Sequence, residues 1–482
     1  MNLPLILNFI GSVLLILSLF LVVPVAISSL GAQPGIQALL VTFGLCLLGG
    51  ALLYVLTRKH RKESLRHRDV FAVVTLSWLV ASLLGSLPYV LSGDLPSFTD
   101  AYFEAMAGFT TTGATVVTDI EGMPRGILFW RHLTQWIGGM GIILFALAVL
   151  PLVGSGAMQL FKAEVPEVTV DKLRPRIIDT AKALWYIYAA LTGLAVLLYA
   201  AGGMDLYDAF CHAFTTLATG GFSTRNASLA SYRSPFIDVV ATLFMFMAGV
   251  NYTLYFRGFR GELSRFWRSS EFRFYVTVTL VAIVLVTLKI AGSEYENIIT
   301  SVRYAAFQVV SVMTTTGYTT ADYGLWPPFV QALLVLLMFF GSMVGSTGGG
   351  MKQVRVLLML KQGYRELYQL IHPHAVTTMK LDRRFVPKEV LGSIWGFLFL
   401  FLTIYALAIL AMTALGLDLV TSASTVVSAM SNVGPALGAA GPAENYAGLP
   451  AAGKWVLIFC MLAGRLEVYT VIVLFVPRFW KK

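Results

Sequence analysis

Four stretches of the chain end a helix-compatible segment in polar residues followed by glycine. The first begins at Asp100 and carries Thr111-Thr112-Gly113. The second begins at Asp208 and reaches Thr219-Gly220-Gly221. The third runs from Tyr304 to Thr315-Thr316-Gly317, and the fourth ends in Asn432-Val433-Gly434. The glycines at 113, 221, 317 and 434 lie 108, 96 and 117 residues apart. Gly220 could stand for Gly221, but the gapless alignment favours Gly221. One such motif reads as an ordinary turn, whereas four copies read as an internal repeat. A short helix that ends in a glycine-containing extended segment can present backbone carbonyls. Four such segments around one axis would build rings of oxygen that replace a cation's hydration shell. Glycine permits the unusual backbone angles and close approach this requires. The helix also aims its partly negative C-terminus at the ion path.

A second constellation lies in the third repeat. After an apolar run to Phe340 the chain reads Gly341-Ser-Met-Val-Gly345-Ser346-Thr347-Gly348-Gly349-Gly350-Met-Lys352. Glycine and hydroxyl residues this dense should not hold a regular helix. The Gly-Lys-Ser/Thr ending of a phosphate-binding loop is missing, and no strand precedes it. Close helix packing on small residues is the stronger alternative. The preferred reading is an intramembrane loop that obstructs a pore and moves to open it. The last apolar run contains Arg465 and Glu467. A charge that deep normally faces a cavity or a counter-charge, and residues two apart do not face each other on a helix.

These segments need a bilayer around them. Of 482 residues 57% are hydrophobic and 12% charged, and mean hydropathy is +0.76; a soluble chain would carry about twice that charge. Ten spans are predicted: about 5–30 and 36–57, then four pairs at 70–92 and 126–153, 180–202 and 236–256, 273–292 and 326–360, and 388–415 and 452–477. About 20 apolar residues cross a bilayer. The first run reads as a retained span, being too long for a signal peptide and lacking a basic leader. Each pair encloses one glycine motif. The net charge of +10 resides in connectors such as Arg58–Arg68 and Arg257–Arg273, which places them and both termini in the cytoplasm. This excludes the nucleic-acid reading of a basic chain. Cys46, Cys211 and Cys460 show no ligand spacing and read as buried apolar residues. His132 and His212 are too isolated for a metal site, and His212 reads as packed. Gly138-Gly139-Met-Gly141 reads as a close-packing surface. Asn251 reads as either a cross-bundle hydrogen bond or a cavity lining. The expected fold is an all-α integral membrane protein with four helix–pore loop–helix pseudo-repeats around one pore. Its parts are a two-helix extension (1–69) and repeats at 70–155, 156–260, 261–372 and 373–482, the third holding the loop at 341–350.

With the motifs Phe109-Thr-Thr-Thr-Gly-Ala114, Ala218-Thr-Gly-Gly-Phe222, Thr314-Thr-Thr-Gly-Tyr318 and Ser431-Asn-Val-Gly-Pro435, the chain resembles the Trk/Ktr/HKT superfamily of cation uptake proteins. It is most similar to the TrkH-type branch, which shares the two extra N-terminal spans. The resemblance covers nearly the whole chain. It implies potassium uptake across the inner membrane, with K+ at the twelve filter residues above and no organic cofactor. Glycine in every repeat is associated there with potassium, and serine in the first repeat with sodium permeation. It also implies that 345–350, Lys352 and Arg465 gate the pore, the arginine acting as an electrostatic barrier. A homodimer with one pore per protomer and a cytosolic nucleotide-binding ring subunit of the TrkA type are implied as partners. A sodium-permeable or a sodium- or proton-coupled transporter is the near rival. An enzyme would need converging carboxylates, histidines or a metal cluster, and the six histidines are not clustered.

Overall fold

The computed structural model describes residues 2–30, 34–60, 66–148, 173–375, 377–382 and 384–480. Two helices, α1 (Leu3–Leu30) and α2 (Ile36–Thr57), open the chain. They cross on glycine: a Cβ at Gly11 would lie 3.0 Å from the Gly50 carbonyl oxygen, and one at Gly50 2.9 Å from that of Gly11. Small residues let two backbones approach where lipid supplies no hydrophobic drive.

Four units of one plan follow. Their first helices are α3 (His67–Ser92), α6 (Leu173–Ala201), α10 (Ser270–Ile290) and α14 (Lys388–Ala414). Each is followed by a short helix where the sequence reading expects a pore helix: α4 (Phe98–Phe109), α7 (Leu206–Leu217), α11 (Ile298–Met313) or α15 (Leu419–Ser431). Local sequence starts these short helices. Ser97, Asp205, Asn297 and Asp418 stand at the N-caps, and each side chain accepts a hydrogen bond from an amide of the first turn. Such caps satisfy donors that a helix start leaves open.

The second helices differ. In the first unit α5 (Arg125–Ala148) is continuous. In the second, α8 (Pro235–Ala248) and α9 (Tyr252–Gly258) meet at a 95° bend. In the third, α12 (Pro328–Phe340) and α13 (Gln353–Ile371) flank the glycine-rich segment. In the fourth, α16 (Ala451–Arg465) turns by 112° into the segment beginning with α17 (Tyr469–Ile472). The spans expected at 236–256 and 452–477 are therefore each a bent pair of helices and not one helix. Asn251 caps the new helix by accepting from the amide of Thr253 at 2.8 Å. Glu467 and Val468 adopt left-handed angles (φ 59° and 53°) that end α16. The break between α12 and α13 is where the glycines put it. By length and composition six described helices could cross a membrane, or eight counting each bent pair as one span. The end of the expected 126–153 span, and Lys162 and Lys172 of the next connector, lie outside the described residues.

Packing closes the four units into a circle. Helix α5 of the first unit lies on pore helix α7 of the second, and α8 of the second on α11 of the third. Helix α12 of the third lies on α15 of the fourth, and α16 of the fourth returns to α4 of the first. Each of these short helices is thereby covered on one side by the preceding unit.

Candidate functional site

The turn after each pore helix repeats in atomic detail. Thr112, Gly220, Thr316 and Val433 donate their amides to the carbonyls of Ala107, Thr215, Ser311 and Ser428 at 2.8–2.9 Å. Thr111, Thr219, Thr315 and Asn432 take left-handed angles (φ 51°, 52°, 61° and 57°), and so do Gly113, Gly221, Gly317 and Gly434 (φ 78°, 76°, 82° and 100°). Gly221, not Gly220, is thus the second repeat's equivalent position. Left-handed angles at non-glycine residues cost roughly 1–3 kcal/mol each and persist only where the surroundings impose them.

These turns touch one another in a closed sequence. A Cβ built at Gly113 would lie 2.0 Å from the carbonyl oxygen of Gly220, and one at Gly221 2.0 Å from that of Thr316. One at Gly317 would lie 1.9 Å from that of Val433, and one at Gly434 2.6 Å from that of Thr112. First meets second, second meets third, third meets fourth, and fourth meets first. All four glycines line one cavity of about 70 Å³ on the side from which the pore helices enter. No side chain fits at these positions without displacing a neighbouring carbonyl.

The ring is braced from behind by residues whose role was not read from the sequence. Nine residues before the four glycines stand Glu104, His212, Gln308 and Thr425. Glu104 accepts from the Val116 amide (2.9 Å) and the Thr115 hydroxyl (2.9 Å). His212 Nε2 pairs with Ser223 Oγ at 2.9 Å, while Nδ1 meets the Asp208 carbonyl at 2.8 Å. A carbonyl only accepts, so Nδ1 carries the proton and Nε2 accepts from the serine. His212 is therefore a fully bonded packed histidine, as expected. Gln308, its amide assigned with the oxygen toward them, accepts from the amides of Thr320 (2.8 Å) and Ala321 (3.2 Å). In the fourth repeat Ser424, one residue earlier, takes over by accepting from the Leu437 amide at 3.0 Å. Only the alignment of all four copies to the ring glycines could have flagged these positions.

On the far side of the ring lies the glycine-rich segment. The Gly349 amide donates to the Thr315 hydroxyl (2.7 Å), and Ser342 Oγ to the Thr314 carbonyl (3.2 Å). Thr347 Oγ1 donates to the Leu217 carbonyl at the end of α7 (2.9 Å). A Cβ at Gly349 would lie 2.2 Å from the Ser431 carbonyl oxygen. The segment thus sits against the C-termini of three pore helices. It is tied down by the Tyr252 amide, which donates to the Gly345 carbonyl (3.0 Å), and by Glu271, which accepts from the Val344 amide (2.8 Å). Lys352 Nζ caps the Gly348 carbonyl. Arg465, 2% exposed, donates to the carbonyls of Thr347 (2.7 Å) and Gly138 (3.1 Å). Its partner is not Glu467, which pairs with Arg355. The Gly138 run packs as expected: a Cβ at Gly138 would lie 2.2 Å from the Phe109 carbonyl oxygen. Gly464 occupies the matching place in the fourth repeat, 1.9 Å from that of Met430.

Residues 35–482 match the TrkH family model, described as cation transport protein. The chain belongs to the TrkH family of cation transport proteins. This is a family of membrane transport proteins, not of enzymes. Among its relatives, the Trk system potassium uptake protein TrkH of Halomonas elongata is 43% identical, with 100% of both chains covered. TrkH of Escherichia coli K12 is 40% identical over 98% of this chain and 99% of the relative. Trk system potassium uptake protein TrkG of the same bacterium is 33% identical, over 98% and 97%. The crystal structure of the potassium transporter TrkH from Vibrio parahaemolyticus superposes with a TM-score of 0.92, at 36% identity and full coverage of both chains. The architecture of this TrkH-family chain, helical among the described residues apart from a two-stranded ribbon of Lys380–Leu381 with Arg384–Phe385, agrees with that structure.

Proposed function

We propose that this chain is a potassium uptake protein of the cytoplasmic membrane, with 111–113, 219–221, 315–317 and 432–434 as its selectivity filter. The closed ring of contacts among the four glycines carries this reading, and the relatives' potassium-uptake names agree with it. Ions enter between the pore-helix N-termini, exchange water for backbone and threonine oxygens, and are favoured there by four convergent helix C-termini. A membrane potential negative inside adds about 2.3 kcal/mol per charge per 100 mV. The segment 341–350 closes the path beneath the ring. Arg465 holds it through Thr347 and Lys352 through Gly348, and both add positive charge where a cation would leave. Opening requires those hydrogen bonds to be released.

The repeats are delimited at 70–155, 156–260, 261–372 and 373–482, with 1–69 as an appended pair. Both termini face the cytoplasm, and the chain works as a homodimer with a nucleotide-binding ring subunit on that side, of the TrkA type. Rubidium uptake into proteoliposomes tests the reading. Flux driven by potential alone, unaltered by sodium or pH gradients, is expected. Flux that requires either gradient indicates a coupled transporter, and equal passage of sodium indicates a sodium-permeable one.

A further inference from the structure

Glu104 differs from the other bracing residues in being an acid with a dedicated cation. Arg131 of α5 donates from Nε to Glu104 Oε1 at 2.7 Å, and the two side chains are 1% and 0% exposed. Arg131 also reaches the second repeat. Its Nη1 donates to the Ser223 carbonyl at 3.1 Å, and its guanidinium carbon lies 3.5 Å from the centre of the Phe222 ring. One helical turn on, Gln135 donates to the Gly220 carbonyl (2.7 Å) and accepts from the Phe222 amide (3.1 Å). Arg131 therefore holds a fixed positive charge on the wall of the cavity that the four glycines line. Such a charge opposes cation entry unless it is cancelled nearby.

We infer that Glu104 is the counter-charge that makes Arg131 compatible with a cation filter, so that the pair sets the filter's affinity while Arg131 clamps the second repeat's strand against the first. This rests on the filter reading above. The pair is bidirectional in its effect, because the two charges act on a passing cation with opposite sign. Salt screens the pair little, since both side chains are almost wholly out of solvent. Arg131 and Glu104 are positioning residues: neither needs to touch the ion.

The test uses the full-length protein in proteoliposomes and the apparent half-saturating concentration for rubidium. E104Q keeps an acceptor for the Val116 amide but leaves Arg131 uncancelled; it is expected to raise that concentration by about tenfold or more. E104Q/R131Q removes both charges and is expected to return it to within about threefold of the unsubstituted protein. A purely structural pair predicts the double variant to be at least as impaired as E104Q, which would overturn the inference, as would an E104Q value equal to that of the unsubstituted protein. Should E104Q fail to fold, R131Q decides: half-saturation no weaker than the unsubstituted protein supports charge cancellation, and a weaker one contradicts it. G113S is measured alongside. If G113S leaves the rubidium-to-sodium ratio unchanged, the filter reading fails; if G113S changes it and E104Q changes nothing, only the charge-pair inference fails.

Discussion

The two halves of the four repeats obey different rules. Toward the mouth they are nearly copies: a capped pore helix, a left-handed residue, a left-handed glycine, and a brace behind. Toward the other side they diverge, with α5 continuous, α8–α9 bent by 95°, α12–α13 separated by the glycine-rich segment, and α16 turning by 112°. On the proposed function the ring surrounds an ion, and every side of it then meets the same geometric demand. A closure on that axis needs only one obstruction, and the other units are then free to become its supports. Asn251 next to Tyr252, Arg465 and Gly138 are those supports here.

If this division is correct, substitutions in the ring should be the most damaging. Gly317→Ala places a methyl 1.9 Å from the Val433 carbonyl oxygen, whereas Gly434→Ala meets Thr112 at 2.6 Å. Rubidium flux is expected to fall by roughly 100-fold or more in G317A, from a contact no rotamer can relieve, and by less in G434A. Equal effects would show that backbone angle, not contact, sets the demand. Next in size is Arg465→Ala. It removes two carbonyl contacts and one positive charge from the loop side. If one charged hydrogen bond of about 1.5 kcal/mol holds the segment closed, flux should rise about tenfold. Unchanged flux would remove Arg465 from the closure. Glu467→Gln breaks the pair with Arg355 at the bend of the fourth repeat. Because that pair is one step removed from the segment, a two- to threefold rise in flux is expected, corresponding to roughly 0.5 kcal/mol of a partly exposed ion pair. The smallest effect belongs to His212→Gln. An amide can keep an acceptor for Ser223, so flux should show the same pH profile as the unsubstituted protein; a lost pH dependence would reassign His212 to proton coupling.

How much of this was legible in the chain follows the same division. The ring of turns could be read because each of its demands selects a residue type: glycine where φ must be positive and a Cβ would strike a carbonyl, with threonine or asparagine two residues before it. The glycine-rich segment could be read because its glycines and hydroxyls cannot sustain a helix. The bends at 249–251 and 466–468 could not. Asn251 is one cap residue in an apolar run, and Glu467 and Val468 are ordinary letters whose left-handed angles are imposed by packing around them. Arg465 was legible as an unaffordable charge, but its partners, the carbonyls of Thr347 and Gly138, lie over a hundred residues away in sequence. Glu104 was one letter of a helix-compatible segment until the fold set it against Arg131.

The most direct test of the ring is to locate the ion. Crystals or cryo-EM grids of the full-length protein in rubidium or thallium should show density on the axis enclosed by Gly113, Gly221, Gly317 and Gly434, within coordinating reach of backbone oxygens from all four repeats. Density bound instead to one repeat alone, or held at a site away from these glycines while the protein still transports, would contradict the account.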